Sequence, residues 1–176
     1  MARHFGAYIA HFKNENKVPL LKSRSLLNAI KLSQIDEAKA ILDKNDTQVN
    51  LNHTDFDKCS LLILALQCYN APEMVSALFN ADKTVGIDIN YRFNGSTALL
   101  TCLRPYYYLS DVIIPIILSK YSQFIDINEI NADGNTALLL AIKHDNALEL
   151  VPIILDRYGK DININFRNKD GNTALM

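Results

Sequence analysis

Four histidines and three cysteines are the side chains of this 176-residue chain best suited to catalysis or metal binding, and their spacing argues against both. His4 and His11 stand seven residues apart near the N-terminus, His53 follows an asparagine pair, and His144 sits in a polar break, Lys143-His144-Asp145-Asn146. A general base or metal ligand needs convergent partners, and no cluster of them forms in the sequence, so exposure or local hydrogen bonding is the favoured reading. Cys59, Cys68 and Cys102 are odd in number and show neither a CxxC pair nor a His–Cys cluster. That excludes a zinc-ligand pattern and points to reduced thiols in an intracellular, reducing compartment. Cys59 and Cys102 are expected to be small buried hydrophobes rather than nucleophiles. Neither GxGxxG nor GxxxxGK[ST] occurs. No catalytic residue, cofactor site or metal site is therefore assigned.

Charge and hydropathy narrow the function further. Eighteen basic residues face 19 acidic ones, for a net charge of -1, which gives no electrostatic basis for nucleic-acid or anionic-membrane binding. The chain is 49% hydrophobic, too apolar for disorder. Its longest apolar runs, Leu61–Leu66 and Val112–Leu118, fall far short of the roughly 18 residues of a membrane-inserted helix. The first residues, MARHFGAYIAHFKNENK, lack the apolar core and small-residue cleavage site of a secretory signal. Asn, Ile and Lys are abundant and Trp is absent, a bias typical of AT-rich coding sequence.

The elements that position these residues follow from a repeat. Asn94-Gly95-Ser96-Thr97-Ala98-Leu99-Leu100 recurs as Asp133-Gly134-Asn135-Thr136-Ala137-Leu138-Leu139 and as Asp170-Gly171-Asn172-Thr173-Ala174-Leu175-Met176, with a worn copy at Asp57-Lys58-Cys59-Ser60-Leu61-Leu62. An aliphatic-Asn marker precedes each copy: Val49–Asn52, Ile87–Asn90, Ile125–Asn128 and Asp161–Asn165. A hydroxyl residue steps from Ser25 to Ser60, Thr97, Thr136 and Thr173, at 35, 37, 39 and 37 residues. Between markers the pattern is two amphipathic helices. Thr136 can cap one carrying Leu138, Leu139, Ala141 and Ile142, and after the polar break a second carries Leu148, Leu150, Val151, Ile154 and Leu155. Asn-Ala-Asp-Gly and Asn-Lys-Asp-Gly supply tight turns between units.

These units resemble ankyrin repeats, in which a D-x-x-G-x-T-P-L-H turn and first helix lead to a second helix and an A-D-V-N segment. The resemblance covers roughly residues 20 to 176. It implies an all-α ankyrin-repeat solenoid of stacked helix–turn–helix units with short finger hairpins. The expected divisions are an N-terminal extension (1–19), a capping unit (20–54), repeats at 55–91, 92–130 and 131–167, and the start of another at 168–176. Phe5, Tyr8, Ile9 and Phe12 form a helical stripe that is expected to pack over the first repeat.

The departures from the pattern carry expectations of their own. The Pro after the hydroxyl residue is replaced by Ala98, Ala137 and Ala174, and the His of TPLH by Ile63, Leu100 and Leu139, so the inter-repeat hydrogen bonds of that His must be missing. Lys58 replaces the turn glycine, so its finger is expected to be distorted. Pro115 and Pro152 share one register, and each predicts a second helix that begins late or kinks just before the proline. An array stopping at Met176 would leave an apolar face without a polar cap, which suggests a fragment of a longer protein.

In ankyrin proteins, partners usually contact the finger tips and the exposed edge of the first helices. Carried over residue by residue, this implies Phe56, Asp57 and Cys59, then Phe93, Asn94 and Ser96, then Ala132, Asp133 and Asn135, then Lys169, Asp170 and Asn172. The helix-end positions are Gln67, Cys68, Arg104, Lys143 and His144. Phe56 and Phe93 share one register in adjacent fingers and could form an aromatic hot spot, or each could fold back to stiffen its finger. Tyr106, Tyr107 and Tyr108, beside Arg104, offer contact area at low entropic cost, or one of them fills the space left by the two extra residues there. The implied function is protein–protein recognition with no catalysis in this segment and no small-molecule cofactor. The composition further resembles ankyrin proteins that intracellular bacteria deliver into host cells. The competing class is a substrate-recruiting module of an enzyme whose catalytic domain lies after residue 176.

Overall fold

Ser60, Thr97 and Thr136 adopt extended backbone, and each side chain accepts the amide hydrogen three residues on, at 3.3 to 3.4 Å. These caps satisfy amides that a helix start leaves unpaired, and so fix where the first helix of each unit begins. In the computed structural model, which describes residues 17–43, 49–83, 86–105 and 107–176, the helices are α1 (Lys17–Lys31), α2 (Ile35–Leu42), α3 (Leu61–Leu66), α4 (Ala71–Ala81), α5 (Ala98–Cys102), α6 (Ser110–Tyr121), α7 (Ala137–Ile142) and α8 (Ala147–Tyr158). A 3-10 turn, Ser122–Phe124, follows α6. The aromatic stripe at Phe5 to Phe12, the histidines His4 and His11, and Tyr106 lie outside the described residues.

First helices pack on first helices in the order α1, α3, α5, α7, and second helices on second helices in the order α2, α4, α6, α8. Each pair also packs within its unit, which gives two layers with one continuous apolar seam. Leu26, Ile30, Leu61, Leu66, Leu100, Leu103, Ile113, Ile117 and Ile154 are fully buried along it. No helix could bury its apolar stripe without the neighbouring unit, which is why stability here is a property of the stack.

Two sequence expectations are corrected. Ser25 lies inside α1, which already runs from Lys17, so it starts no helix and the 35-residue step has no structural counterpart. The helices carrying Pro115 and Pro152 do not begin late: α6 starts at Ser110 and α8 at Ala147, five residues before each proline. The carbonyls left without an amide donor belong to Asp111 and Leu148, both exposed, so water can replace the missing bond.

The fingers supply a third correction. Lys58 takes the left-handed conformation, φ 62°, at the register where Gly95, Gly134 and Gly171 have φ 76° to 82°. Its finger keeps the bridge pattern of a glycine finger, Thr54–Ser60 matching Ile130–Thr136. The finger that differs is the next one. There Asn94 (φ 49°) and Gly95 form a two-residue turn, and Phe93 and Ser96 exchange both backbone hydrogen bonds at 3.0 Å. Asn-Gly is the sequence most favourable to such a turn. Because a left-handed non-glycine costs about 1–2 kcal/mol and glycine's unfolded-chain entropy offsets part of it, Lys58→Gly is expected to stabilise the fold by about 0.5 kcal/mol in urea unfolding. The Tyr91 hydroxyl donates to the Lys58 carbonyl at 2.7 Å, a bond that survives the change. A destabilised variant would mean that the Lys58 side chain itself contributes.

The asparagine markers join unit to unit. Asn52 donates to the Gly86 carbonyl at 2.7 Å and accepts from the Asp88 amide at 2.8 Å. Asn90 does the same with Phe124 and Asp126, and Asn128 with Asp161 and Asn163. Each side-chain amide uses its donor and its acceptor on backbone one unit further on, so the ladder holds the repeats in register where no sheet could.

Candidate interaction surface

Fingers stand at the start of α3, α5 and α7, and the turns joining first to second helix at the other end. The tips are held by side chains that fold onto their own backbone. Asp55 Oδ1 accepts from the Asp57 and Cys59 amides at 3.0 and 2.8 Å, Asn131 Oδ1 from Asp133 and Asn135, and Asn168 Oδ1 from Asp170 and Asn172. Short polar side chains are suited to such turns. In the differing finger Arg92 occupies that register. It donates to the Gly95 and Ile130 carbonyls and pairs with Glu129, tying two fingers together.

On this frame the two phenylalanines separate. Phe56 is 94% exposed, whereas Phe93 is half-buried and packs against the core. Asp57, Asn94, Asp133, Lys169 and Asp170 are exposed at the tips, and Lys169 Nζ donates to the Ala132 carbonyl at 2.6 Å. Asn135 is instead buried, and its Oδ1 accepts from Asn168 Nδ2 at 2.8 Å, so it cross-links fingers and presents no free face.

At the turn end, Arg104 and Lys143 are exposed. Tyr107 fills the space made by the longer loop: it is half-buried and its hydroxyl donates to the Leu66 carbonyl of the preceding unit at 2.7 Å. Burial pushes that hydroxyl well above the usual tyrosine range. Tyr108 is left 82% exposed. His144 is buried, its ring nitrogens engaged with Ser110 Oγ at 2.9 Å and the Asn146 amide at 3.1 Å, so it is removed from the exposed set. Cys68, which follows its cap Ser60 by the same interval as His144 follows Thr136, donates to the Ile30 carbonyl at 3.0 Å. Thus Cys68, Tyr107 and His144 make inter-unit bonds in a stack without the TPLH histidine. Tyr69, 98% exposed in the turn before α4, is an exposed aromatic that the sequence reading missed. Its signal was an aromatic directly before the helix-starting Asn70-Ala71-Pro72.

The three thiols are not activated as nucleophiles. Burial pushes the Cys59 thiol up to about 11 and drives Cys68 and Cys102 upward as well, which disfavours thiolate at neutral pH. Among the described residues, no group of three or more His, Cys, Asp or Glu could hold a metal ion, and no helix is long and apolar enough to cross a membrane.

The ankyrin repeat family model matches residues 133–169, the unit of α7 and α8. The chain is similar in structure to the crystal structure of EF0377, an ankyrin repeat protein, with a TM-score of 0.67 over 87% of this chain and 70% of that one, at 24% sequence identity. The fold is that of an ankyrin-repeat protein. No curated protein sequence matches the chain. In ankyrin terms the fingers are the hairpins, α1, α3, α5 and α7 the first helices, and the asparagine ladder the junction between repeats.

Proposed function

We propose that this ankyrin array is a protein-recognition module whose finger tips and exposed first-helix ends grip a segment of another protein. Ankyrin repeats generally mediate protein–protein interaction, and the geometry here fits that use. The observation that carries the reading is Phe56: a large aromatic, 94% exposed, on a finger whose backbone is fixed by Asp55. Asp55 is itself held by Lys31 at 2.7 Å. A rigid apolar anchor loses little entropy on binding, which is how a hot spot works. Asp57, Asn94, Asp133, Lys169 and Asp170 form the polar rim around it, and the three free thiols fit a reducing compartment. A host-directed role is the narrower form of this reading, supported by the Asn/Ile/Lys bias alone.

The test is capture from cell lysate followed by affinity measurement on the recovered partner. Phe56→Ala is expected to weaken binding at least about tenfold while the thermal midpoint stays unchanged, because the ring touches little of the fold. Equal affinity of wild type and variant would overturn the finger-tip site.

A further inference from the structure

The first helices end along one edge in a row of donors. Lys31 closes α1, Gln67 caps α3, Arg104 follows the cap of α5, and Lys143 caps α7. Tyr69 and Tyr108 stand beside them in the turns of adjacent units, 98% and 82% exposed. The helix C-terminal dipole accounts for the sign of these residues but not for what their heads do. Lys31 is paired with Asp55. Arg104 reaches only Ser96 Oγ, at 3.4 Å, and Lys143 makes no ion pair among the described residues. On the far side of the same turns the sign reverses, with Glu73, Asp111 and Glu149 in the first turns of α4, α6 and α8. Asp145 is the single exposed acid within the turn that follows Lys143.

We propose that this edge binds an extended acidic peptide segment of the partner, its carboxylates on Arg104 and Lys143 and its apolar side chains on Tyr69 and Tyr108. The inference rests on the protein-recognition reading above and names the chemistry of what is recognised. Three features support it. The guanidinium of Arg104 is exposed and held only by the long bond to Ser96 Oγ, so it can fork onto a carboxylate. Neighbouring helices pack about 8–10 Å apart and an extended chain advances about 3.3 Å per residue, so acids three residues apart address adjacent units. The acidic starts of the second helices repel a segment that strays outward, which keeps it in the lane of the first helices.

The probe is a fluorescein-labelled short peptide with Glu at every third position among Ala, Leu and Tyr, alongside its twin with Lys for Glu, read by fluorescence anisotropy. The Glu peptide is expected to bind, the Lys twin not, and binding to weaken between about 0.05 and about 0.5 M salt as charge is screened. R104E/K143E is expected to lower Glu-peptide affinity at least about tenfold, and R104Q/K143Q by less. Both side chains are exposed, and an unchanged thermal midpoint excludes misfolding. Equal binding of the two peptides, or R104E/K143E binding like wild type, would overturn the proposal. A lysate partner lost with Phe56→Ala but indifferent to R104E/K143E would overturn it too, while leaving finger-tip recognition standing.

Discussion

Asp82→Asn is expected to cost about 2–3 kcal/mol of unfolding free energy at neutral pH, and that cost is expected to shrink as the pH falls. Asp82 caps the end of α4 and is almost fully buried. Its carboxylate accepts from the Tyr121 hydroxyl of the next repeat and from the Gly86 and Ile87 amides at 2.9 and 3.0 Å. Lys120 donates to the Phe79 and Asp82 carbonyls beside it, and the Phe79 and Tyr121 rings pack at 4.6 Å. One side chain thus joins α4, the loop after it and α6. Burial alone would raise the Asp82 pKa, but the hydroxyl, the two amides and Lys120 outweigh it and hold the carboxyl below its ordinary range. A depressed folded-state pKa means stability that is present above the unfolded value, about 3.9, and lost as pH falls through the folded one. Once Asp82 is protonated, wild type and Asn variant present similar neutral groups. Urea unfolding at several pH values tests this: a gap that stays constant from neutral pH to about 3 would refute the charge-linked account. Asp55, also depressed despite its burial because Lys31 and the Cys59 and Asp57 amides bind it, adds a slope of the same sign. The comparison must therefore be made variant against wild type rather than on the absolute acid midpoint.

What was legible in the sequence is what local chemistry encodes. The caps at Ser60, Thr97 and Thr136, the turn glycines and the paired apolar stripes each follow from residue type and spacing, and together they gave the repeat and its fold. What was not legible depends on the neighbouring unit. The asparagine markers were visible as a period, but their two-sided grip on the next unit's backbone exists only once the units stack. The same holds for Phe56 and Phe93, identical in register, of which the first is exposed and the second half-buried against the core. The late start expected from Pro115 and Pro152 does not occur: each helix begins five residues earlier, and the carbonyl that each proline strands belongs to an exposed residue, Asp111 or Leu148. Cys68 and Asn135 read as surface by register, and are engaged because of what packs over them.

His144 shows the same lesson with a measurable size. His144→Ala is expected to destabilise the protein by about 2–4 kcal/mol, a core effect from a residue placed by family register among the partner contacts. The ring is buried between the third and second repeats. The Asn146 amide donates to Nδ1, so Nε2 carries the proton and donates to Ser110 Oγ. Ser110 in turn hydrogen-bonds the Cys102 and Tyr107 carbonyls at 2.6 Å, and the Tyr107 hydroxyl reaches Leu66 one repeat earlier. Three repeats are thereby connected through one polar chain inside an otherwise apolar seam. Removing the imidazole leaves a cavity, an unpaired amide and a hydroxyl with one partner fewer; His144→Leu refills the volume but not the bonds, and should recover only part of the loss. If the chain acts as a unit, His144→Ala and Ser110→Ala will not add: the double variant should lose less than the sum by about 1 kcal/mol or more. Additivity within about 0.3 kcal/mol would show that the two residues contribute independently. Partner affinity should be untouched in any variant that still folds, because a side chain sealed between repeats has nothing to offer a ligand.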